Sequence, residues 1–429
     1  MKPLANDFVT IFKSPDPKTV FPAAPALCVL KNGRYVFCHD IFGALTALSI
    51  YETMSKEKIN KEDPHIGCVY TSDDKGLTWQ RKAEGLKICN GNVFEAGDAV
   101  YIMSSSENGL VIYRSNNNAE TWDEGHYLTD GADAQSPTVR PWIEDGYINI
   151  AVEVRENFPG EIHDGWNLSS TAPVFMRAKI SDDLTKRESW TFSNKIRFRD
   201  LVKEDELDLY GVPFFTTTLH KHEYDDGRTT DNMSGWLEPN IVRITDEKHY
   251  WYDPSGKTFH IIMRAHTSWT GYACIMKAVI SEENGKEVIT VMPEVNPSGK
   301  RVVYIPFPGG QNRFQIAWDE QTKLFWLVSS QPTDSMTKKE FLSPDRFNLP
   351  YDERHRLQLC FSKNLVDWCF AGIIAIGGSE KEARNYATID IDGSDLVLVS
   401  RSGSPEAYSA HNTDMLLFHR IKNFRDLVY

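Results

Sequence analysis

The chain has 429 residues, of which 41% are hydrophobic and 12% aromatic, so it can bury a large core. Its formal charge is −13, from 47 basic and 60 acidic residues without a basic block, which makes nucleic acid a poor partner. The seven cysteines are scattered without a Cys-x-x-Cys pair, a pattern that fits neither a disulfide framework nor a zinc site. We therefore expect reduced, mostly buried thiols and neither a metal nor another cofactor.

The first seven residues lack the charged start and apolar run of a signal peptide, and no window reaches about 18 consecutive apolar residues. We therefore expect a soluble, cytoplasmic protein without a membrane span. A secreted or periplasmic location would require a leader ahead of this sequence. The oligomeric state stays open.

The predicted strands repeat one plan six times: an entering strand, a turn, and an apolar strand that ends in polar residues. The pairs are 26–30 with 35–40, 92–94 with 99–104, 136–140 with 148–155, 238–243 with 259–266, 312–318 with 324–329, and 386–389 with 396–401. Residues 8–12 are predicted to complete the last repeat, because a closed ring leaves no terminal edge unpaired. This plan predicts an all-β protein, a six-bladed β-propeller that forms a single domain over residues 1–429.

A turn signature supports the repeats. Residues 72–79 read Ser-x-Asp-x-Gly-x-Thr-Trp, which is an Asp-box. In such a hairpin turn Ser72 and Asp74 cap backbone N–H groups, Gly76 supplies the positive φ, and Trp79 packs against the blade. Weaker echoes at 115–122, 181–190 and 362–368 favour repeated blades of similar plan.

The segment 157–235 fits no blade cleanly and is rich in acidic, histidine and aromatic residues. We predict a loop insertion over one face of the ring. Within it, Glu161, His163 and Asp164 are candidates for substrate contact. His220 and His222 fit a solvated surface better than a metal pair.

In a propeller the inner strand of each blade starts, and the next strand ends, on the same face beside the axis. Polar residues at these junctions therefore converge: His39, Asp40, Asn90, Asn92, Glu153, Arg155, Glu238, Arg264, His266, Gln311, Arg313, Gln315, Arg384, Tyr386 and Arg401. Burying unpaired ions is unfavourable, so this set predicts either a polar ligand or an internal network of salt bridges.

These residues resemble the sialidase (neuraminidase) superfamily, whose members are six-bladed propellers with Asp-boxes. The stretch 21–27 resembles the family's Phe-Arg-Ile-Pro-Ala-Leu signature, and a Gly turn and an apolar strand ending in Asp follow it, as in the family. The resemblance implies that Asp40 is the acid/base carboxylate. It also implies that Tyr386 is the nucleophile and that Glu238 accepts the proton of its phenol.

The resemblance and the strand junctions together predict a set of substrate-binding residues. Arg264 and Arg313 match two arginines of the family's carboxylate-binding triad, whereas the first arginine falls on Ala23. Arg384, two residues before Tyr386, is predicted to lie on the same strand face and to substitute for it. The complete predicted set is Arg264, Arg313, Arg384, His39, Gln311, His266 and Arg401.

The leading hypothesis is a retaining exo-glycosidase of sialidase type, which cleaves sialic acid or a similar terminal acidic sugar from a glycan. One alternative is a glycosidase or polysaccharide lyase that acts on uronate- or rhamnose-containing glycans, with His39 beside Asp40 as an acid or base. The other is a non-catalytic glycan-binding propeller. Each hypothesis expects a glycan partner, and the sugar and its linkage stay open.

Overall fold

A computed structural model describes residues 2–43, 65–106, 108–131, 134–135, 139–156, 158, 160–161, 168–210, 219, 234–267, 271–346 and 352–429. Six antiparallel sheets of four or five strands account for nearly all regular structure in these ranges. They form the six-bladed β-propeller that the sequence predicts.

The strands of the first three blades follow one another in chain order after β1 (Val9–Lys13). The first blade contains β2 (Val20–Pro22), β3 (Ala26–Val29), β4 (Tyr35–Gly43), β5 (Ile66–Ser72) and β6 (Gln80–Leu86). The second contains β7 (Cys89–Ala96), β8 (Ala99–Ser106), β9 (Gly109–Ser115) and β10 (His126–Tyr127). The third contains β11 (Ala134–Gln135), β12 (Trp142–Glu144), β13 (Tyr147–Arg155), β14 (Thr171–Lys179) and β15 (Trp190–Phe192).

The other three blades continue the same plan. The fourth contains β16 (Trp236–Val242), β17 (Thr258–Ala265), β18 (Tyr272–Glu283), β19 (Lys286–Met292) and β22 (Tyr304–Pro306), and beside it β20 (Glu294–Val295) pairs with β21 (Arg301–Val302). The fifth contains β23 (Gln315–Asp319), β24 (Leu324–Ser330), β25 (Arg356–Ser362) and β26 (Cys369–Ile376). The sixth contains β27 (Arg384–Asp392), β28 (Asp395–Ser402) and β29 (Met415–Ile421).

Helical segments in the described ranges are short. They are the α-helix α1 (Phe198–Leu201) and 3-10 turns at Leu168–Ser170, Arg187–Ser189, Glu204–Tyr210, Lys339–Phe341, Pro344–Arg346 and Phe424–Leu427. Within those ranges, no helix has both the length and the apolar character that crossing a membrane requires.

Strand β1 closes the ring. It pairs antiparallel with β29, with Val9 opposite Phe418 and Lys13 opposite Met415, and it becomes the outermost strand of the sixth blade. The prediction that residues 8–12 complete the last blade is confirmed. The pairing covers the backbone edge that β29 would otherwise expose.

The core lies between the blades. Six hydrophobic clusters occur among the described residues, and each joins two neighbouring blades, including the sixth and the first. Trp236 and Trp326 are fully buried in two of them. Each sheet therefore buries both of its faces, which explains why the strands read as nearly continuous apolar runs. Burial of a side chain such as Phe37 stabilises the fold by about 2 kcal/mol.

The turn between β5 and β6 has the hydrogen bonds that its sequence predicts. The Ser72 hydroxyl accepts a hydrogen bond from the backbone N–H of Gly76 at 2.9 Å, and Asp74 accepts one from the N–H of Thr78 at 2.8 Å. Trp79 Nε1 donates to the carbonyl of Gly76 at 3.1 Å, and Gly76 has a φ of +87°. Both side-chain caps hold the backbone of a tight turn.

Two further turns share this plan. Between β9 and β10, Ser115 accepts from the N–H of Ala119 at 2.9 Å. Between β25 and β26, Ser362 accepts from the N–H of Leu365 at 2.9 Å. Similar turns therefore join the last two strands of the first, second and fifth blades. Their assignment to a family of sequence repeats stays a prediction.

The third blade differs from the predicted one. Its inner edge consists of β11 and β12, whereas the sequence predicts one strand over 136–140, of which 136–138 lie outside the described residues. Strands β14 and β15 fall within the segment predicted as an insertion, yet they form the outer half of this blade. The outermost strand has only three residues, too few for a recognisable alternating pattern. His163, Asp164, His220 and His222 lie outside the described residues.

Candidate active site

Three inner strands begin with the same local distortion. Asn90, Glu238 and Tyr386 have left-handed backbone conformations, with φ values of 55°, 56° and 49°. At each of them the register with the next strand shifts, which marks a β-bulge. A bulge bends its strand and redirects a side chain, and strained backbone of this kind concentrates at functional sites. The second, fourth and sixth blades thus present a redirected residue at the same end of the axis.

Tyr386 lies among arginines. Arg264 Nη1 donates a hydrogen bond to its hydroxyl at 3.1 Å. The guanidinium groups of Arg313, Arg354 and Arg401 lie 5.6, 5.1 and 5.3 Å from the centre of its ring. Such a concentration of positive charge suits an anionic ligand beside the tyrosine.

Glu238 reaches the same arginine. Its Oε2 lies 3.5 Å from Arg264 Nη1, the nitrogen that donates to Tyr386. This oxygen is buried and accepts no hydrogen bond from any residue that the structure describes. Arg264 Nη1 therefore contacts both Glu238 and Tyr386. Oε2 of Glu238 is the oxygen that could accept a proton in this site.

A second glutamate supports the first. The Glu153 carboxylate accepts a hydrogen bond from the backbone N–H of Glu238. Burial, and next the nearby charge of Glu238, raise the pKa of Glu153 to about 8, so Glu153 carries a proton at neutral pH. The strand pattern predicts that Glu153 converges on the axis, but it gives no sign that its neighbour is another carboxylate.

Asp40 lies on the opposite side of the site. It is fully buried, its Oδ2 is 2.6 Å from His65 Nδ1, and its Oδ1 accepts the backbone N–H of Asn90 at 3.3 Å. Burial disfavours the charged imidazole of His65, but hydrogen bonds to Asp40 and Cys89 outweigh it and raise the pKa of His65 to about 11. Asp40 therefore faces a histidine cation.

Arg313 and Arg401 interact electrostatically with residues predicted to be catalytic. Burial lowers the pKa of Arg313, and the nearby charges of Glu238, Tyr386 and Asp40 oppose that shift. Burial likewise lowers the pKa of Arg401 to about 10, against the charges of Tyr386 and Asp40. Both arginines remain cations at neutral pH. All three residues predicted to be catalytic thus act on the guanidinium of Arg313, and Tyr386 and Asp40 also act on that of Arg401.

The position of His39 does not support its predicted role at the substrate. Its ring is fully buried 5.1 Å from that of Phe12, 5.5 Å from that of Phe37 and 5.8 Å from that of Tyr70. This burial lowers the pKa of His39 to about 4. Consecutive residues of a strand point to opposite faces, so the strand that aims Asp40 at the site turns His39 into the blade core.

Arg384 does not join the arginines around Tyr386 either. Its Nη1 donates to the carbonyls of Glu382, Ala383 and Gly403 at 3.2, 2.8 and 2.9 Å. The prediction assumed regular alternation along β27, but the bulge at Tyr386 interrupts it. Arg384 therefore fixes the start of the strand, and its predicted role as a replacement for the arginine missing at Ala23 is not supported.

Two other arginines, Arg401 and Arg354, lie beside Tyr386, where the sequence predicts Arg384. The guanidinium of Arg401 lies 5.5 Å from the ring of Phe42, in the first blade, and 5.3 Å from that of Tyr386. Arg354 comes from the loop between β24 and β25, and its Nε donates to Asp352 Oδ1 at 2.6 Å. The sequence predicts Arg401 at the site but not Arg354. The one feature of the sequence that marks Arg354 is the charged run 352–356 in which it lies.

Gln311 and His266 lie at the edge of the site. The carbonyl of Gln311 accepts a hydrogen bond from Arg264 Nε at 2.8 Å, so its backbone positions the arginine. His266 is buried, and its backbone N–H donates to the carbonyl of Gly235 at 2.9 Å. Side-chain contacts of either residue with a substrate stay predictions.

One group in the described part of the chain combines the donor atoms that metal ions prefer. The ligand atoms of Asp40, His65 and Cys89 all lie within 4.8 Å of one another. The sequence does not predict this group, because some 25 residues separate each member from the next. Metal-binding motifs that can be recognised in a sequence have much shorter spacings.

Comparisons with known proteins support the fold. No protein family model matches the sequence, and a search of curated proteins finds no match. A protein of unknown function from Dyadobacter fermentans has a TM-score of 0.54 at 10% identity, over 97% of this chain and 98% of its own. The sialidase of Trypanosoma rangeli in complex with sialic acid has a TM-score of 0.53 at 13% identity, over 100% of this chain. This chain spans 60% of that sialidase, and at such identities the likeness shows the propeller fold alone.

Proposed function

We propose that this protein is an exo-acting glycoside hydrolase of sialidase type, which removes sialic acid or a similar acidic sugar from the end of a glycan. The observation that carries the proposal is the contact of Arg264 with both Tyr386 and Glu238, with three more arginines around the tyrosine. A phenol beside a proton-accepting carboxylate forms an activated nucleophile.

In the first half of the reaction, Glu238 accepts the proton of the Tyr386 hydroxyl as the phenol oxygen attacks the anomeric carbon. The bond to the leaving oxygen breaks, and that oxygen takes the proton held between Asp40 and His65. In the second half, Asp40 accepts a proton from water, the water oxygen replaces the tyrosine, and Glu238 returns its proton to the phenol. The product keeps its anomeric configuration.

The arginines would bind the carboxylate of the sugar. Arg264 and Arg313 approach from the fourth and fifth blades, and Arg401 lies on the side where the family's first arginine would lie at Ala23. Bidentate guanidinium–carboxylate hydrogen bonds fix both position and orientation. Asp352 compensates the charge of Arg354 at 2.6 Å, so Arg354 is a weaker candidate for binding an anionic substrate.

Hydrolysis of a fluorogenic sialoside tests the proposal. We expect Tyr386→Phe and Asp40→Asn to lose most of the activity, whereas Tyr250→Phe, at a side chain 80% exposed on the surface, keeps it. A 3-fluoro sialoside should trap a covalent adduct, which peptide mass spectrometry would locate on Tyr386. Full activity in both site variants would remove the assignment.

A second candidate rests on Glu153. A protonated glutamate beside Glu238 also provides the unequal carboxyl pair of ordinary glycosidases, in which one group donates a proton and the other attacks or activates water. Uronate- and rhamnose-containing glycans are its test substrates. Cleavage of these and not of sialosides would favour it, and absorbance from a new C=C bond would identify a lyase. Saturable sugar binding without turnover would indicate a glycan-binding propeller.

A further inference from the structure

Three side chains with different donor atoms meet where the first and second blades join. Asp40 lies near the end of β4, His65 directly precedes β5, and Cys89 is the first residue of β7. Their carboxylate oxygen, imidazole nitrogen and sulfur lie within 4.8 Å of one another. Because all three lie on or beside strands of the ring, their backbones are held in place.

The contacts within the group are direct. His65 Nδ1 is 2.6 Å from Asp40 Oδ2, and the His65 ring is also hydrogen-bonded to Cys89. The hydroxyl of Ser104 fixes the backbone of Cys89, since it accepts the Cys89 N–H at 2.8 Å and donates to the Cys89 carbonyl at 3.0 Å. A preorganised set of ligands loses little conformational entropy when it binds an ion.

Asn90 contacts two of the three residues, Asp40 and Cys89. Its Nδ2 lies 3.7 Å from Cys89 Sγ, and its backbone N–H donates to Asp40 Oδ1 at 3.3 Å. Donors in this outer position orient the ligands of a metal and tune its affinity. The left-handed conformation of Asn90 is what allows one residue to reach both partners.

The donor set selects a class of ion. A thiolate favours zinc and similar thiophilic ions, and imidazole and carboxylate complete a mixed S, N, O set that magnesium and calcium avoid. Three protein ligands leave one tetrahedral position for water or another molecule. The His65 side chain is 30% exposed, so the group lies next to solvent.

We propose that Asp40, His65 and Cys89 form a binding site for a thiophilic divalent cation, with zinc as the favoured ion. The ion replaces the proton shared by Asp40 and His65 and the proton of the Cys89 thiol, which leave to solvent. The inference rests on this group of ligands and not on the proposed hydrolase. If both hold, the ion takes the lone pairs of Asp40, and zinc inhibits hydrolysis.

Titration calorimetry with zinc chloride tests the site in the full chain, without any measurement of hydrolysis. Wild type and Cys369→Ser should bind one ion per chain, because Cys369 is the other partly exposed cysteine and lies in the fifth blade. Cys89→Ser should bind zinc at least tenfold more weakly. Equal affinity of Cys89→Ser and wild type would overturn the proposal.

Cobalt(II) gives a second, spectroscopic readout. Wild type and Cys369→Ser should show the near-ultraviolet band of a thiolate–cobalt bond, and Cys89→Ser should lack it. His65→Gln keeps the thiol and should show the band only at a cobalt concentration at least tenfold higher, which tests the site even if Cys89→Ser folds poorly. Cobalt binding by wild type without a thiolate band would also overturn the proposal.

Discussion

Asp40 and Glu153 occupy corresponding places in the propeller. Each lies near the end of the first long strand of its blade, and each accepts the backbone N–H of a bulge residue from the next blade, Asn90 for Asp40 and Glu238 for Glu153. Their neighbours differ in charge. Asp40 faces the cation of His65, whereas Glu153 faces the carboxylate of Glu238.

The difference shows how one backbone arrangement supports two kinds of carboxyl group. The strand end and the bulge bring a carboxylate to the axis in both places. The neighbouring side chain then differs, since Asp40 has a cation as its counter-ion, whereas burial and the charge of Glu238 keep a proton on Glu153. Four sets of measurements test this comparison.

The largest expected effect is the difference in kcat between variants of Glu238 and of Glu153. Glu238→Gln removes the proton acceptor of Tyr386 and should reduce kcat on a fluorogenic sialoside by roughly 10³-fold. Glu153→Gln keeps a neutral side chain that still accepts the N–H of Glu238, so we expect a loss within about tenfold. Equal, large losses in both variants would contradict this assignment and favour the two-carboxylate alternative.

His65→Ala should have the largest effect on stability. It leaves Asp40 buried without its cation, so we expect a loss of about 3 kcal/mol in urea unfolding at pH 7. The folded pKa of His65 is raised to about 11, so its contribution is complete below the unfolded value near 6.5 and is lost as the pH rises through 11.

Two controls accompany this measurement. His126→Ala removes a half-exposed histidine 3.1 Å from Asp123 and should lose at most about 1 kcal/mol. Adding Asp40→Asn to His65→Ala should recover much of the stability, because the unpaired buried charge is gone. A double variant no more stable than His65→Ala would indicate that packing, and not charge, makes His65 important.

A smaller effect concerns the pH dependence of Glu153. Its folded pKa of about 8 lies above the unfolded value, so the contribution to stability is complete below about pH 4.5 and is lost as the pH rises through 8. Glu153→Gln removes this loss. Relative to wild type, the variant should gain about 2 kcal/mol between pH 6 and pH 8 in urea unfolding, whereas the exposed variant Glu247→Gln should run parallel to wild type.

The smallest effect concerns the bulge itself. Asn90→Ala places a less tolerant side chain at a φ of 55° and should lose about 1 kcal/mol. Asn90→Gly relieves the conformation but gains entropy in the unfolded chain, so its stability should stay within about 0.5 kcal/mol of wild type. Thermal unfolding measures both, and equal losses would show that the side chain of Asn90, and not its backbone, stabilises the bulge.

Much of the fold follows from local patterns in the sequence. Paired apolar strands predict six blades, and the requirement for a closed ring predicts the pairing of β1 with the last blade. Strand ends also predict that Asp40, Glu238 and Tyr386 converge, because alternation and blade geometry fix where a strand ends. The turn at Ser72 is predictable for the same reason, since its hydrogen bonds join residues close in the chain.

The missed parts of the site depend on contacts between distant segments or on breaks in regular structure. Arg354 lies in a connection without strand periodicity, and His65 meets Asp40 only after the blade has formed. The sequence does not reveal the bulge at Tyr386, which interrupts the alternation and turns Arg384 away from the predicted position. His39 and Asp40 are adjacent, so strand alternation puts their side chains on opposite faces.

The pairing of β1 with β29 has a consequence for biosynthesis. A nascent chain makes β1 first, yet the strand against which it docks leaves the ribosome some 400 residues later. Until β29 is made, residues 9–13 lack the strand with which they pair, although Phe12 can already contact His39 in the first blade. The ring therefore cannot close cotranslationally blade by blade, and its last step joins the earliest and latest strands in one event, when exposed strand edges are most vulnerable to aggregation.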